Sequence, residues 1–296
     1  MVDTAQVETA MRFNVTLSVA EPGVPVFDDV MIAVAAALRD LGHTTVNAGG
    51  PDPDSVDVVF GHYVAAHRFP DTSVVYQLEP VSERTLRNNH VQPDMLRRNI
   101  VWDYSRHNVE QLRVRGVHAH YVPMGHHPLL ERVVPVPEQD IDVLFYGSTT
   151  PRRRQTIAAL RDAGLHTVHI SGIWTDELDP IIARAKVVLN LHAQSEYRAL
   201  ESVRVGYLMT NRKAVVAEVG PADDDDELGD GIVGVPYRNL VDACVELVRD
   251  DAARVRLEAA AWDVISRRPM TGVLDGVLHT AAGLDLPVGA WGPRFG

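Results

Sequence analysis

A cluster of arginines at a predicted strand-to-helix junction is the first feature that could do chemistry. The segment 147–154 has the sequence GSTTPRRR. Small residues at such a turn let backbone N–H groups approach an anion, and the start of a helix adds positive potential. Guanidinium groups can bind phosphate oxygens through paired hydrogen bonds. We therefore predict a diphosphate site at Gly147, Ser148, Arg152 and Arg153. The alternative is an exposed basic first turn, which opposes the helix dipole.

A second group of polar residues follows the apolar segment 187–191. Ligands of doubly wound sheets bind at the carboxyl ends of the strands. Glu201 and Arg204 are three residues apart and share one face of a helix, where a carboxylate can accept from sugar hydroxyls and a guanidinium can bind phosphate. A salt-bridged start of a surface helix explains these residues equally well. The candidate ligand-binding residues of this group are His192, Glu196, Glu201, Ser202 and Arg204.

The first half of the chain offers fewer candidates, all near the ends of predicted strands. Glu79 and Asp103 are predicted catalytic groups, together with Glu196 from the second half. Gly23 and His62 are predicted to lie on loops that face an acceptor, because glycine lets backbone approach a ligand closely. For each of these positions, an ordinary loop residue is the alternative.

Thirteen histidines, including the pair His126 and His127, raise the question of a metal site. No set of His, Cys and carboxylate residues has metal-ligand spacing, and adjacent side chains diverge. The acidic run at 223–227 predicts a solvated loop, because crowded carboxylates repel one another. We expect neither a metal nor an organic cofactor.

The elements that position these residues alternate between short strands and helices, which is typical of parallel α/β sheets. The predicted strands are 13–19, 44–47, 57–61, 73–77, 99–103, 118–122, 141–148, 166–170, 186–191 and 213–218. The predicted helices are 28–41, 106–115, 151–163, 176–185, 199–210 and 240–264. Asn211 is predicted to end its helix in the left-handed conformation, followed by exposed Arg212 and Lys213.

The strand pattern restarts at Ile141, after a segment rich in proline at 133–140. A chain of 296 residues exceeds the usual size of one domain. We therefore predict two Rossmann-like, doubly wound α/β domains that face a cleft, at 1–132 and 133–296. Ligands bind in such a cleft at the carboxyl ends of the strands.

Composition limits the partners. A net charge of -12 argues against a nucleic-acid partner, because phosphate neutralisation needs a dense basic surface. No apolar run approaches the roughly 20 residues of a transmembrane helix, and the N-terminus has no signal-peptide pattern, so a cytoplasmic location is expected. The single cysteine, Cys244, is predicted to be a buried apolar residue.

Several segments together resemble the GT-B glycosyltransferases of the group-1 and spore-maturation-type branch. They are VYQLE at 75–79, WDYS at 102–105, YVPMGHHP at 121–128, DVLFYGS at 142–148, PRR at 151–153, KVVLNLH at 186–192 and ESVRVGYLMTNRKAVVAE at 201–218. The resemblance implies an acceptor domain followed by a donor domain, in which Glu201 corresponds to the glutamate that binds the nucleotide ribose. Retaining members have another glutamate eight positions earlier. Here that position is Ala193, and Glu196 is the nearest candidate.

The resemblance implies transfer of a sugar from a nucleoside-diphosphate sugar to a hydroxyl of a small-molecule or glycan acceptor, without an obligatory metal. Arg152, Arg153 and Arg204 would stabilise the departing diphosphate. The alternatives are a catalytically inactive nucleotide-sugar-binding protein of the same fold and a nucleotide-sugar epimerase. A dinucleotide oxidoreductase is disfavoured, because no Gly-x-Gly-x-x-Gly motif follows either opening strand.

Overall fold

A computed structural model describes residues 10–18, 25–61, 69–220 and 227–278. Gly23, His62 and most of the acidic run at 223–227 lie outside the described residues. The strands are β1 (Arg12–Leu17), β2 (Thr44–Val46), β3 (Val56–Phe60), β4 (Val74–Gln77), β5 (Ile100–Asp103), β6 (Ala119–Tyr121), β7 (Ile141–Tyr146), β8 (Thr167–Ile170), β9 (Ala185–Asn190), β10 (Ala214–Glu218) and β11 (Val233–Val235).

The helices alternate with these strands. They are α1 (Asp28–Asp40), α2 (Glu83–Arg87), α3 (Pro93–Leu96), α4 (Arg106–Val114), α5 (Pro151–Asp162), α6 (Thr175–Arg184), α7 (Ser202–Thr210), α8 (Leu240–Arg249), α9 (Asp251–Ser266) and α10 (Met270–Leu278). Single 3-10 turns cover Pro128–Leu130, Gly229–Gly231 and Tyr237–Asn239.

The described strands form two parallel sheets. The first has the order β2-β1-β3-β4-β5-β6, and the second has the order β11-β10-β9-β7-β8. Their central strands are apolar and buried because helices cover both faces, as in β3 and β9. The predicted fold class, two doubly wound α/β units, is confirmed.

Polar side chains cap the first turns of α5 and α4. The Thr150 side chain accepts from the backbone N–H of Arg153 at 3.2 Å, and Pro151 occupies the first helical position of α5. Ser105 caps α4 as expected. Cys244 is fully buried, as predicted, and burial raises the pKa of its thiol to about 12.

Three local expectations are wrong. The helix predicted at 199–210 begins only at Ser202. The pattern at 240–264 is two helices, because Asp250 leaves the helical conformation and its side chain caps α9. Lys213 is buried rather than exposed, and its Nζ donates to the Ala185 carbonyl at 2.7 Å.

The residue after α7 has a different role from the one predicted. Arg212, not Asn211, adopts the left-handed conformation, with φ of 53°. The Asn211 side-chain oxygen accepts from the backbone N–H groups of Arg132 and Val133, both at 2.9 Å. Asn211 therefore joins the end of α7 to the start of the connecting segment 133–140.

The two sheets are joined by more than this connection. Helix α10 packs against α1 of the first unit. The Met270 N–H donates to the His126 carbonyl at 2.7 Å, and Arg106 pairs with Glu227 at 2.6 Å. The chain thus returns to its first half near its C-terminus, and the division at residue 132 stays a prediction. Within the described ranges, no helix is both long and apolar enough to span a membrane.

Candidate functional site

Three adjacent strands of the second sheet, β7, β9 and β10, end at one edge. Gly147 follows β7, His192 follows β9, and Glu218 is the last residue of β10. Because all strands of this sheet are parallel, these residues lie together at its carboxyl edge. Glu201 and Arg204 join them from the start of α7.

Gly147 forms the turn after β7 at this edge. Its φ of 139° is open to glycine but strained for other residues. A Cβ built at Gly147 would lie 3.3 Å from Arg204 Nη2 and 3.6 Å from Arg153 Nη1. The structure therefore brings both guanidiniums to the same turn, in the region that the sequence indicated.

Arg153 is buried, and all of its donors are used inside the protein. Its Nε and Nη2 donate to the Leu191 carbonyl at 3.1 and 2.7 Å. Its Nη1 donates to the Ser148 carbonyl and hydroxyl at 3.1 and 3.0 Å. Nη2 also donates to Glu201 Oε1 at 2.9 Å. A guanidinium has five N–H groups, so Arg153 joins the turn after β7 to the end of β9.

Arg152 is similarly engaged on the other side of the edge. Its two terminal nitrogens form a bidentate ion pair with the Glu218 carboxylate. Nη1 also donates to the His192 carbonyl at 3.1 Å, and the guanidinium stacks 3.7 Å above the centre of the Tyr237 ring. The His192 N–H donates to Glu218 at 3.2 Å.

In this structure Arg152 and Arg153 are bound to carboxylates of the chain, and their contact with a phosphate stays a prediction. The sequence argument required negative charge near the basic first turn of α5. Glu218 and Glu201 provide that charge from within the chain. The two arginines therefore shape the site, and Ser148 contributes to it by holding Arg153.

Arg204 differs from both. Its Nη1 donates to Asn190 Oδ1 at 3.1 Å and pairs with Glu201, and its guanidinium lies 4.9 Å from the centre of the Tyr146 ring. Its Nη2 faces the Gly147 turn. Arg204 is thus fixed on one side and has donors directed to the space above the turn.

Glu201 sits between Arg153 and Arg204. Burial alone raises the pKa of a carboxyl group, but the charges of Arg204 and Arg153 outweigh burial and lower the pKa of Glu201. Glu201 is therefore ionised at neutral pH and holds the two guanidiniums apart.

Three buried polar atoms around Arg204 have no hydrogen-bond partner within the described part of the chain. They are Asn190 Nδ2, His192 Nε2 and Ser202 Oγ. Leaving such atoms unpaired costs free energy, so native proteins rarely do so without a water or ligand. Asn190 ends β9, His192 follows that strand, and Ser202 begins α7, so the three atoms are buried at the carboxyl edge that carries Arg204.

Glu79 follows β4 of the first sheet, and its carboxyl group interacts electrostatically with Glu201 of this site. Its pKa is raised, first by burial and further by the negative charge of Glu201, while His90 acts in the opposite direction. Gln77 holds the Glu79 backbone on both sides: Glu79 N–H donates to Gln77 Oε1 at 2.6 Å, and Gln77 Nε2 donates to the Glu79 carbonyl at 2.7 Å. The Glu79 side chain is left free of these bonds.

Asp103 does not reach the cleft. It is fully buried, and its carboxylate accepts from Gln77 Nε2 at 2.7 Å and from the Ser105 N–H at 2.9 Å. A catalytic role for Asp103 stays a prediction. In the structure Asp103 binds Gln77, whose amide group in turn binds the Glu79 backbone.

Glu196 also lies apart from the group around Arg204. It is exposed and lines a separate cavity with α2 and α4 of the first unit. The structure thus gathers Gly147, Ser148, Arg152, Arg153, His192, Glu201, Ser202 and Arg204 at one edge, with Glu79 opposite them. Asp103 and Glu196 are elsewhere.

Sequence reasoning missed Glu218 and Asn190 as parts of the site. Each is a polar residue at the end of an apolar strand, in β10 and β9, respectively. The rule that selected His192 applies equally to them. In the described ranges, no group of three or more His, Cys, Asp or Glu side chains is arranged to hold a metal ion.

No protein-family model matches the chain. Two uncharacterized proteins of Acanthamoeba polyphaga mimivirus are similar to part of it. One is 30% identical over 107 residues, which are 36% of this chain and 11% of the relative. The other is 29% identical over 116 residues, or 38% of each chain. The chain therefore spans well under half the length of these curated relatives.

Solved structures resemble the chain over most of its length. T4 phage BGT, in complex with UDP and Mn2+, has a TM-score of 0.59 at 11% identity, covering 93% of this chain and 100% of that one. AviGT4, a glycosyltransferase of avilamycin A biosynthesis, has a TM-score of 0.56 at 16% identity, covering 90% and 96%. A glycosyltransferase from Rickettsia africae gives 0.56 at 11% identity, covering 94% and 100%. Two parallel sheets in this arrangement, shared with these enzymes, give the chain the GT-B fold of the glycosyltransferases.

Proposed function

We propose that this chain transfers a sugar from a nucleoside-diphosphate sugar to an acceptor hydroxyl. The observation that carries the proposal is the Arg204 guanidinium, whose Nη2 faces the glycine turn at Gly147. A diphosphate has the oxygens to accept from Arg204 Nη2, and Asn190, which accepts from Arg204, carries a further amide N–H group without a partner among the described residues. The GT-B fold supports the same reaction class.

In this reaction the bond between the anomeric carbon and the phosphate oxygen breaks, and a bond to the acceptor oxygen forms. Negative charge grows on the departing diphosphate. Arg204 stabilises that charge from a fixed position, because Glu201 and Asn190 already hold its other side. The start of α5, capped by Thr150, adds the positive end of a helix dipole next to Gly147.

Glu201 and the buried donors orient the donor substrate. The Glu201 carboxylate is ionised and partly exposed, so it can accept from ribose hydroxyls. His192 and Asn190 are buried beneath this edge, and Asn190 Oδ1 accepts from Arg204 Nη1, so Asn190 orients the guanidinium that binds the donor. Arg152 and Glu218 hold the backbone of His192 in place.

On the acceptor side, Glu79 is the group we assign to accept the hydroxyl proton. A base with a raised pKa removes a proton more effectively near neutral pH. Gln77 and Asp103 fix its backbone, so the carboxylate is presented to the cleft from a rigid loop. The proton passes from the acceptor oxygen to Glu79 as the new glycosidic bond forms.

Metal independence is part of the proposal. Arg204 and the α5 terminus supply positive charge at the diphosphate without a cation. Transfer measured with a chelator present should equal transfer with added Mg2+ or Mn2+. A strict requirement for either ion would remove this part of the proposal while leaving glycosyl transfer intact.

The function is tested with a panel of nucleoside-diphosphate sugars and acceptors, using the wild type, Arg204→Ala and Arg154→Ala. Arg154 is exposed and belongs to the same basic run, so it is a matched control. We expect Arg204→Ala to lower transfer at least about a hundredfold, as removal of a transition-state donor does, with Arg154→Ala unchanged. Donor binding without any transfer would instead identify a binding protein, and sugar isomerisation without an acceptor would identify an epimerase.

A further inference from the structure

A cavity of about 440 Å³ lies between the first unit and the loop after β9, away from the Arg204 site. Helices α2 and α4 line it from one side, and Glu196 lines it from the other. Its charged lining consists of Arg84, Arg87, Arg115, Glu83 and Glu196. Both halves of the protein therefore contribute to its wall.

The cavity has an excess of positive charge that the rest of the chain does not neutralise. Arg115 pairs with Glu83 at 3.2 Å. Arg84 and Arg87 are exposed, lie three residues apart on α2, and form no ion pair with any carboxylate in the described part of the chain. The whole chain carries a net charge of -12, so this local cationic surface attracts anions that most of the molecule repels.

The cavity borders the loop that carries Glu79. Val81 and Ser82 line the cavity and follow Glu79 directly after Pro80 in the chain. Tyr197 follows Glu196 in the loop after β9, is half-buried, and interacts electrostatically with both Glu79 and Arg84. A molecule held at Arg84 is therefore on the side of the first unit from which Glu79 extends.

We propose that this cavity binds an oxyanion group, phosphate or carboxylate, of the acceptor. This inference rests on the proposed function and adds the chemical class of the second substrate. Guanidiniums bind both oxyanions through paired hydrogen bonds. Arg84 and Arg87 bind the anion. The Glu196 carboxylate disfavours a second negative charge, so the rest of the acceptor, which extends towards Tyr197 and Glu79, is neutral.

The test measures binding by titration calorimetry, using glucose 6-phosphate, glucuronate and glucose as probes. The pocket variant is Arg84→Gln/Arg87→Gln. The control, Arg98→Gln/Arg113→Gln, removes the same two charges from exposed sites of the same unit outside the cavity. A third protein, Arg204→Ala, removes the anion site of the donor edge. A nucleoside diphosphate is titrated into all four proteins.

The pocket variant should bind glucose 6-phosphate or glucuronate at least about tenfold more weakly than the wild type, since each lost charge-assisted bond contributes a factor of this order. The control and Arg204→Ala should bind them as the wild type does, and glucose should bind much more weakly to the wild type. If the pocket variant loses affinity for both anions, the cavity is a general oxyanion site. If it loses affinity for only one of them, the cavity is specific for phosphate or for carboxylate.

Equal anion affinity in the pocket variant and its control would overturn the proposal, as would loss of anion binding in Arg204→Ala alone. The nucleoside diphosphate separates this failure from failure of the proposed function. Its binding should be lost in Arg204→Ala and retained in the pocket variant. A wild type that binds the probe anions but no nucleoside diphosphate would reject donor binding and leave the anion cavity established.

Discussion

Arg152 and Glu218 form a bidentate ion pair that joins the first turn of α5 to the end of β10. Both side chains are largely enclosed, with 17% and 10% of their surfaces exposed. The pair lies at the carboxyl edge of the second sheet and supports His192 through two further hydrogen bonds. Arg152, which the sequence indicated as a phosphate ligand, is bound here by a carboxylate from the end of β10.

Removal of Glu218 should destabilise the protein. Glu218→Ala leaves Arg152 charged and partly buried without its partner, which costs about 3 kcal/mol of unfolding free energy for an enclosed pair. Denaturant unfolding measures the loss. The control Glu138→Ala removes an exposed carboxylate and should change stability by less than about 0.5 kcal/mol. If the two variants were equally stable, Arg152 would be free to serve as a ligand.

Part of this arrangement could be predicted from sequence, because it depends on local patterns. Strand and helix periodicity located the turn after β7 and the start of α7, and the parallel-sheet rule placed His192 at the same edge. The choice among arginines could not be predicted. Arg152 finds its carboxylate 66 residues away and Arg153 finds its own 48 residues away, and no local signal reports such partners.

Other differences have similar physical causes. Lys213 looks exposed in the sequence, but its ammonium group is enclosed by carbonyls of the α6–β9 junction, and burial lowers its pKa to about 8. Asp250 interrupts a continuous apolar pattern because its side chain caps the helix that follows. Both outcomes depend on hydrogen bonds that hydrophobic periodicity does not encode.

Substitution of Gly147 should damage both stability and ligand binding. Gly147→Ala forces an unfavourable φ of 139° and puts a methyl group 3.3 Å from Arg204 Nη2. The backbone strain should lower the unfolding free energy by about 2 kcal/mol. Gly164→Ala is the matched control, because Gly164 has φ of 85° with no atom near the added methyl group.

Both glycine variants should lose stability, and only Gly147→Ala should also bind a nucleoside diphosphate more weakly. Thermal unfolding with and without the nucleotide separates the two effects. Nucleotide affinity unchanged in Gly147→Ala would show that the ligand does not approach this turn.

The ionised Glu79 side chain should lower the stability of the folded protein at neutral pH. Its pKa is raised in the folded protein by burial and by Glu201, so its contribution is favourable below the ordinary carboxyl pKa and is lost as pH rises through the folded pKa. Glu79→Gln should therefore be more stable than the wild type at pH 7. The difference should vanish below about pH 4, the unperturbed value. The free energy of unfolding, measured for both proteins from about pH 4 to pH 7, shows which of them is more stable at each pH.

The same variant should lose transfer activity if Glu79 accepts the acceptor proton. In the wild type, the acidic limb of the kcat/KM profile should lie above the ordinary glutamate range because the pKa is raised. Full activity in Glu79→Gln, or an acidic limb at the pKa of an exposed carboxyl group, would contradict the assignment.

Gln77 should affect turnover through Glu79 alone. Gln77→Ala removes both bonds between the Gln77 side chain and the Glu79 backbone, while the bond from Asn108 Nδ2 to the Glu79 carbonyl and the contacts of the donor edge remain. Misplacement of a catalytic group costs about tenfold to a hundredfold in kcat, while KM for the donor should stay constant. Steady-state kinetics with varied donor distinguish this result. A rise in donor KM at constant kcat would indicate a general structural role instead.

The most direct measurement is the affinity of a nucleoside diphosphate for the wild type, Arg204→Ala and Arg154→Ala by titration calorimetry. Arg204 Nη2 faces the Gly147 turn, and Arg154 is exposed and outside the site. Loss of one charge-assisted contact to the diphosphate should weaken binding by about 2 kcal/mol in Arg204→Ala, with no change in Arg154→Ala. Equal affinity in all three proteins would contradict a diphosphate site at Arg204.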